Sequence, residues 1–130
     1  MIDHLSFGVT DFERSAIFYD RALAPLGVSR LFHVTSGPVE KAAYGNAYPN
    51  LWIAADPAAV GKLHLAFTAS DKDAVDAFYR EALASGGTDN GAPGFRPEYH
   101  SGYYGAYVID PDGHNIEAVF HDKTALIGVS

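Results

Sequence analysis

Apolar and polar positions alternate along His4–Thr10: Leu5, Phe7 and Val9 point one way, and His4, Ser6 and Gly8 the other, which predicts a strand. From Asp11 the period lengthens. Ser15, Ala16, Tyr19, Ala22, Leu23 and Leu26 recur at helical spacing, Asp11 is placed to cap the helix, and Pro25 and Gly27 close it. Val28–Ser36 reads as extended up to the Gly37-Pro38 turn. Lys41–Gly45 and Asn50–Ala55 follow as strands around a turn at Asn46–Pro49. The pattern then starts again. Leu63–Ala69 is a strand with Leu63, Leu65 and Phe67 on one face and His64, Ala66 and Thr68 on the other. Asp71 caps a second helix whose buried stripe is Ala74, Val75, Phe78, Ala82 and Leu83, and Gly86-Gly87 ends it. Thr88–Gly102 shows no clear period. Tyr103–Ile109 and Asn115–Phe120 are strands joined by the strong turn Asp110-Pro111-Asp112-Gly113, and no pattern follows His121.

The recurrence is a duplication. At an offset of sixty residues, His4–Gly27 lies over His64–Gly87 without a gap, and ten of the twenty-four aligned pairs are identical, among them His4/His64, Asp11/Asp71, Phe18/Phe78 and Gly27/Gly87. Unrelated segments of ordinary composition would share roughly one or two. The expected architecture is therefore α+β: two duplicated βαβββ modules, about 1–57 and 62–121, in a single domain over 1–130, with Asp56–Gly61 as the joint. They would form a cupped mixed sheet with the helices on the outer face.

On that plan the bulky strand faces pack on the helices, and His4 and His64 point to the opposite side, beside small residues that leave room for a pocket. The last strands extend the equivalence. Asn50-Leu51-Trp52 matches Asn115-Ile116-Glu117 at an offset of sixty-five, so Glu117 stands to His64 as Trp52 stands to His4. A carboxylate in an otherwise apolar strand is costly unless compensated, and a metal ion is one way to compensate it. Two imidazoles and a carboxylate, from His4, His64 and Glu117, suit a divalent transition ion and leave coordination positions open for substrate oxygens. A lone histidine is more often a hydrogen-bonded structural residue, and Glu117 could instead pair with Arg96 or a lysine. It is the repetition that favours the metal.

The totals exclude other classes. The 130 residues carry a formal charge of −7, which argues against a nucleic-acid partner. No apolar run reaches bilayer length and the first residues lack a secretory pattern. With no cysteine there are no disulfides, as in a cytoplasmic protein.

These features resemble the vicinal oxygen chelate superfamily. It includes glyoxalase I, bleomycin-resistance proteins, fosfomycin-resistance enzymes and extradiol dioxygenases. The resemblance rests on the paired modules, the histidine opening each, and Asp110-Pro111-Asp112-Gly113-His114-Asn115-Ile116-Glu117. It implies metal ligands at His4, His64 and Glu117, an ion that is Fe, Mn, Ni, Co or Zn, and a homodimer with sites at or near its interface. Trp52 stands where glyoxalase I-like enzymes carry a fourth, acidic ligand, so the set is closer to that of dioxygenases and fosfomycin-resistance enzymes. The expected function is metal-dependent lyase, isomerase or dioxygenase chemistry on a small oxygen-bearing substrate. The alternative is a metal-free small-molecule or antibiotic-binding protein.

Secondary candidates lie in the aromatic loop Phe95–His100 and after it. Arg96 could pair an anionic substrate group, Tyr103 could contact substrate, and His100 or Tyr104 could join Glu117 in catalysis as proton donor, with the loop as a lid. The competing reading packs these tyrosines into the sheet and solvates Arg96. Trp52 and Tyr44 either line an apolar cleft wall or fill the core. His33, His114 and His121 lack matching partners, and His114, in a hairpin turn, is expected to be exposed.

Overall fold

The computed structural model describes residues 2–57 and 62–124. The first module runs β1 (Leu5–Gly8), α1 (Phe12–Leu23), β2 (Ser29–Val34), β3 (Lys41–Gly45) and β4 (Pro49–Ala54). The second repeats it as β5 (His64–Thr68), α2 (Lys72–Ala84), β6 (Thr88–Phe95), β7 (Tyr103–Ile109) and β8 (Asn115–His121). Most of the joint expected between them, and the last six residues, fall outside the described residues.

Each module builds its own four-stranded mixed sheet, ordered β1-β4-β3-β2 and β5-β8-β7-β6, with β1/β4 and β5/β8 the parallel pairs. Both helices start as their sequences dictate: the Asp11 carboxylate accepts the Arg14 N–H at 3.1 Å, and Asp71 that of Ala74 at 2.7 Å. Phe7, Val9, Phe18, Tyr19, Tyr44 and Ile53 of the first module share one core with Val75, Phe78, Val108, Ile116 and Ala118 of the second. Both sheets therefore turn their helix-covered faces inward onto a common interior and leave their other faces open. Contact between the modules is tight at Gly87, where a Cβ would come within 2.4 Å of Val108 and 2.8 Å of Phe18.

Three expectations need correction. Thr88–Phe95 is a strand, but an edge strand with register shifts at Gly91 and a proline, which destroy the alternation. Leu83 is 36% exposed and lies outside the buried stripe of α2. His114 is fully buried: its Nδ1 accepts the Leu63 N–H at 3.0 Å and its ring meets the Phe7 ring edge-on at 5.0 Å. With Nδ1 accepting, the proton sits on Nε2, which has no hydrogen-bond partner among the described residues.

The Asp110–His114 turn clamps the modules together. Asp110 is 4% exposed; its Oδ1 accepts the N–H groups of Asp112 and His114, and its Oδ2 accepts the Tyr19 hydroxyl of α1 at 2.5 Å. Asp112 accepts from the Thr10 and Ser15 hydroxyls. Burial and the neighbouring Asp110 hold the Tyr19 phenol protonated well above its ordinary range. Among the described residues no helix is long and apolar enough to cross a membrane.

Candidate functional site

The registers confirm that the two last strands are equivalent. Across the open face of the first sheet runs the row Ser6–Trp52–Ala43–Phe32, and across the second the row Ala66–Glu117–Tyr107–Gly91. Ser6 and Ala66, and Trp52 and Glu117, occupy matching places. The face that is aromatic in one module is acidic in the other.

Glu117 is the centre of the second face. Its side chain is only 2% exposed, yet no lysine or arginine pairs with it among the described residues. Oε1 lies 2.8 Å from His64 Nε2, and the Tyr103 hydroxyl donates to Oε2. His64, by contrast, is 56% exposed and can turn toward the cleft. Burial, and then the bond to Glu117, raise the Tyr103 phenol above its ordinary pKa. Burial and a hydrogen bond to Tyr103 raise Tyr107 further. The arrangement is a line of hydroxyls, Tyr107 to Tyr103, ending on a buried carboxylate that a histidine closes from the other side.

His4 belongs to the other module. It is exposed, its Nδ1 lies 2.8 Å from Asp3 Oδ2, and it lines a cavity of about 580 Å³ floored by Ser6 and Gly8. Trp52, Tyr48, Pro49 and Val39 give that cavity its apolar wall, and Lys41 and Asp56 its charges. Phe32 extends the wall, its ring parallel to that of Trp52 at 6.5 Å. The small residues beside His4 thus open the space their sizes predicted. Hydrogen bonds from His4 and Tyr48 hold Asp3 below the usual carboxylate range.

The structure thus brings His64, Glu117 and Tyr103 together and places His4 apart from them. Among the described residues no group of three His, Asp or Glu side chains is positioned to hold a metal ion. The donor chemistry of His64 and Glu117 suits a transition ion, but two protein ligands are fewer than such a site takes.

The secondary candidates divide by the pleat. Tyr103 and Arg96 lie on the open face. Tyr104 points the other way, its hydroxyl bonded to Asp76 of α2 at 2.7 Å and its pKa pushed up to about 12 by burial and that carboxylate. Tyr44 is fully buried, with its hydroxyl on Asp20 at 3.0 Å and on the Ala16 carbonyl. Both tyrosines are packed on the helix side, away from Glu117. His100 accepts the Gly102 N–H on Nδ1 and stacks on His121, with Nε2 2.9 Å from His121 Nδ1. The segment around it is pinned by Arg96 N–H to Tyr103 O, Tyr99 N–H to Arg96 O and Asp122 N–H to Gly102 O, which is not the construction of a loose lid. Sequence reasoning missed Tyr107 and Phe32. For Tyr107 the signal was available, since a strand starting at Tyr103 puts residues 105 and 107 on the Tyr103 face and 104 on the other.

Comparison with known proteins agrees with this fold. The family model described as Glyoxalase/Bleomycin resistance protein/Dioxygenase superfamily matches residues 1–118. A glyoxalase/bleomycin resistance protein from Albidiferax ferrireducens T118 is 32% identical, with 90% of this chain and 95% of that chain covered and a TM-score of 0.72. A glyoxalase-related enzyme from Fulvimarina pelagi is 26% identical over 92% of this chain and 87% of that chain, with a TM-score of 0.70. Glyoxalase I from Zea mays shares the fold at 23% identity and a TM-score of 0.69, and this chain spans 47% of its length. No curated protein matches the chain.

Proposed function

The chain belongs to the Glyoxalase/Bleomycin resistance protein/Dioxygenase superfamily, and from that premise we propose that it is a divalent-metal-dependent enzyme acting on a small oxygen-bearing substrate as a homodimer. His64 and Glu117 of one copy, with His4 of a second copy, would hold the ion. The observation that carries this reading is Glu117. A carboxylate 2% exposed, without a lysine or arginine partner among the described residues and faced by a half-exposed imidazole, is costly as structure and useful as a ligand. The two half-sites lie on outward faces of one chain, which is why a second copy is needed to join them.

A divalent ion held there would supply Lewis-acid chemistry toward a small oxygen-bearing substrate, of the kind that lyase, isomerase or dioxygenase reactions use. The chain's own groups do the rest. Tyr103 keeps a proton at Glu117 Oε2 and fixes that carboxylate's orientation, while Trp52 and Phe32 shield the far wall of the cleft from water.

Elemental analysis and complementation test the proposal together. The purified protein should carry metal, and His4→Ala, His64→Ala and Glu117→Ala should each lose it. Mixing His4→Ala with Glu117→Ala chains should restore about a quarter of the wild-type metal content, because half of the dimers are mixed and each has one intact site. No metal in the unmodified protein would overturn the reading and favour a metal-free binding protein, for which the apolar cavity beside Trp52 would be the ligand site. No restoration on mixing would place His4 outside the site.

A further inference from the structure

We propose that Arg96 is an anion-binding subsite that restricts the substrate to carboxylates; this rests on the open face around Glu117 being the substrate site. Arg96 leaves β6 on that face, and its guanidinium lies over the Tyr107 ring, 5.4 Å from the centroid. Tyr107 is the cross-strand partner of Glu117, so the guanidinium lies over the residue next to Glu117 across the sheet.

The strand beneath is shaped to seat it. Gly91, at φ +150°, and Gly94 lie under the side chain. A Cβ at Gly91 would come within 2.9 Å of Tyr107 and 3.3 Å of Arg96 Nη2, and one at Gly94 within 3.0 Å of Arg96 Nη1. The backbone then pins the residue, with Arg96 N–H on Tyr103 O at 2.7 Å and Tyr99 N–H on Arg96 O at 3.0 Å. A group positioned this way has lost its freedom before any ligand arrives.

What Arg96 does not have is an acid. Asp and Glu outnumber Lys and Arg by 16 to 9 in this chain, and Arg30 and Arg21 pair with Asp20 and Glu81. Arg96 makes no ion pair among the described residues and spends one N–H, on the Ala92 carbonyl at 2.6 Å. The remaining N–H groups keep the planar fork that matches two carboxylate oxygens. A phosphate dianion would call for more cations than this one guanidinium. A carboxylate held there directs the rest of a small molecule past Tyr107 toward His64 and Glu117. The same charge disfavours a cationic ligand on this face.

The test uses one skeleton carrying different charges: benzoate, benzamide, benzylamine and phenyl phosphate, titrated into metal-stripped protein and followed by protein NMR. Benzoate should bind roughly tenfold or more tightly than benzamide, benzylamine should be weakest, and phenyl phosphate should not exceed benzoate. Arg96→Ala and Arg96→Lys should each remove most of the benzoate preference, the lysine because it keeps charge without the fork. Arg80→Ala, which removes the same charge from the exposed side of α2, should leave the preference intact. Equal binding of benzoate and benzamide, tighter phosphate binding, or a preference that survives Arg96→Ala would overturn the proposal. Metal content of the protein as purified, measured before stripping, reads the catalytic reading separately: loss of the preference in Arg96→Ala protein leaves this inference standing even where the wild type carries no metal.

Discussion

If Glu117 is present for chemistry, the fold should be no weaker without its charge, and Glu117→Gln tests that. The amide is isosteric. Its oxygen can still accept the Tyr103 hydroxyl, and its NH₂ can face His64 Nε2 if the imidazole changes tautomer, so no buried polar atom need be orphaned. Two charge-assisted hydrogen bonds become neutral ones, a loss of about 1 kcal/mol each. Against this stands the desolvation of a carboxylate whose side chain is 2% exposed, an effective penalty of several kcal/mol that vanishes with the charge. The balance favours the variant by about 1–2 kcal/mol, or on the order of 4 °C in Tm for each kcal/mol. Urea unfolding of metal-stripped protein would show this as a higher midpoint at an unchanged m-value. The same variant should fail to take up metal. The two readouts must move in opposite directions. A loss of more than about 1 kcal/mol in the metal-free state would refute the reasoning, because Glu117 would then be a structural partner of His64 and Tyr103.

Tyr19→Phe removes the hydroxyl that reaches Asp110 Oδ2 across the module joint and should cost about 1.5–3 kcal/mol, read as a lower urea midpoint; a loss under about 0.5 kcal/mol would show that the clamp is held without it, by the turn's own N–H groups and by Thr10 and Ser15 on Asp112. Tyr19, Tyr44, Tyr103, Tyr104 and Tyr107 all have raised pKa values, Tyr104 up to about 12. Phenols raised above their unfolded value near 10 stabilise the fold fully below that pH and lose the contribution as pH climbs through the folded values. Stability should therefore fall from about pH 10 upward, with phenolate absorbance lagging behind that of denatured protein; simultaneous titration of every tyrosine near 10 with intact circular dichroism would contradict this. His4→Ala should change stability by no more than about 0.5 kcal/mol, since the side chain is 55% exposed, while abolishing metal uptake; a large destabilisation would mark His4 as structural.

Much of the fold was legible because it is local and repeated. The sixty-residue offset gave both modules, Asp11 and Asp71 gave the helix starts, and the match of Trp52 with Glu117 gave the strand register before any coordinates did. The failures share a cause, which is dependence on residues distant in sequence. The Asp110–His114 turn looked like an exposed hairpin because the Tyr19 hydroxyl that reaches it is 91 residues away. β6 was invisible because its bulges are set by pairing with β7, and because the glycines that seat Arg96 read as loop composition. Placing Tyr104 beside Glu117 was a different kind of error, since the pleat alone puts Tyr103 and Tyr104 on opposite faces.

The same duplication explains why His4 and the His64–Glu117 pair stand on different faces. Two copies of one strand–helix unit bury equivalent faces, so when α1 packs on α2 over a shared core, the two open faces must point outward. Equivalent positions on those faces were then free to diverge. Where Trp52 packs against Phe32, Glu117 sits beside Tyr107 and Tyr103; where the first face has a cavity with an apolar wall, the second has a histidine, a buried carboxylate and a guanidinium without an acidic partner among the described residues. Among the described residues neither face brings together three His, Asp or Glu side chains that could hold a metal ion, and the first has Trp52 where the second has Glu117. A second copy that laid its first face against the second face of this chain would supply His4 and the aromatic wall in one step. Symmetry would repeat the contact, giving two sites per dimer. The partition has a consequence for how such a protein changes over time. On the proposed reading, substitutions on the aromatic face would alter what fits, and substitutions around Glu117 would alter what reacts. The shared core between the helices bears neither change, which lets one fold keep its stability while its chemistry is revised.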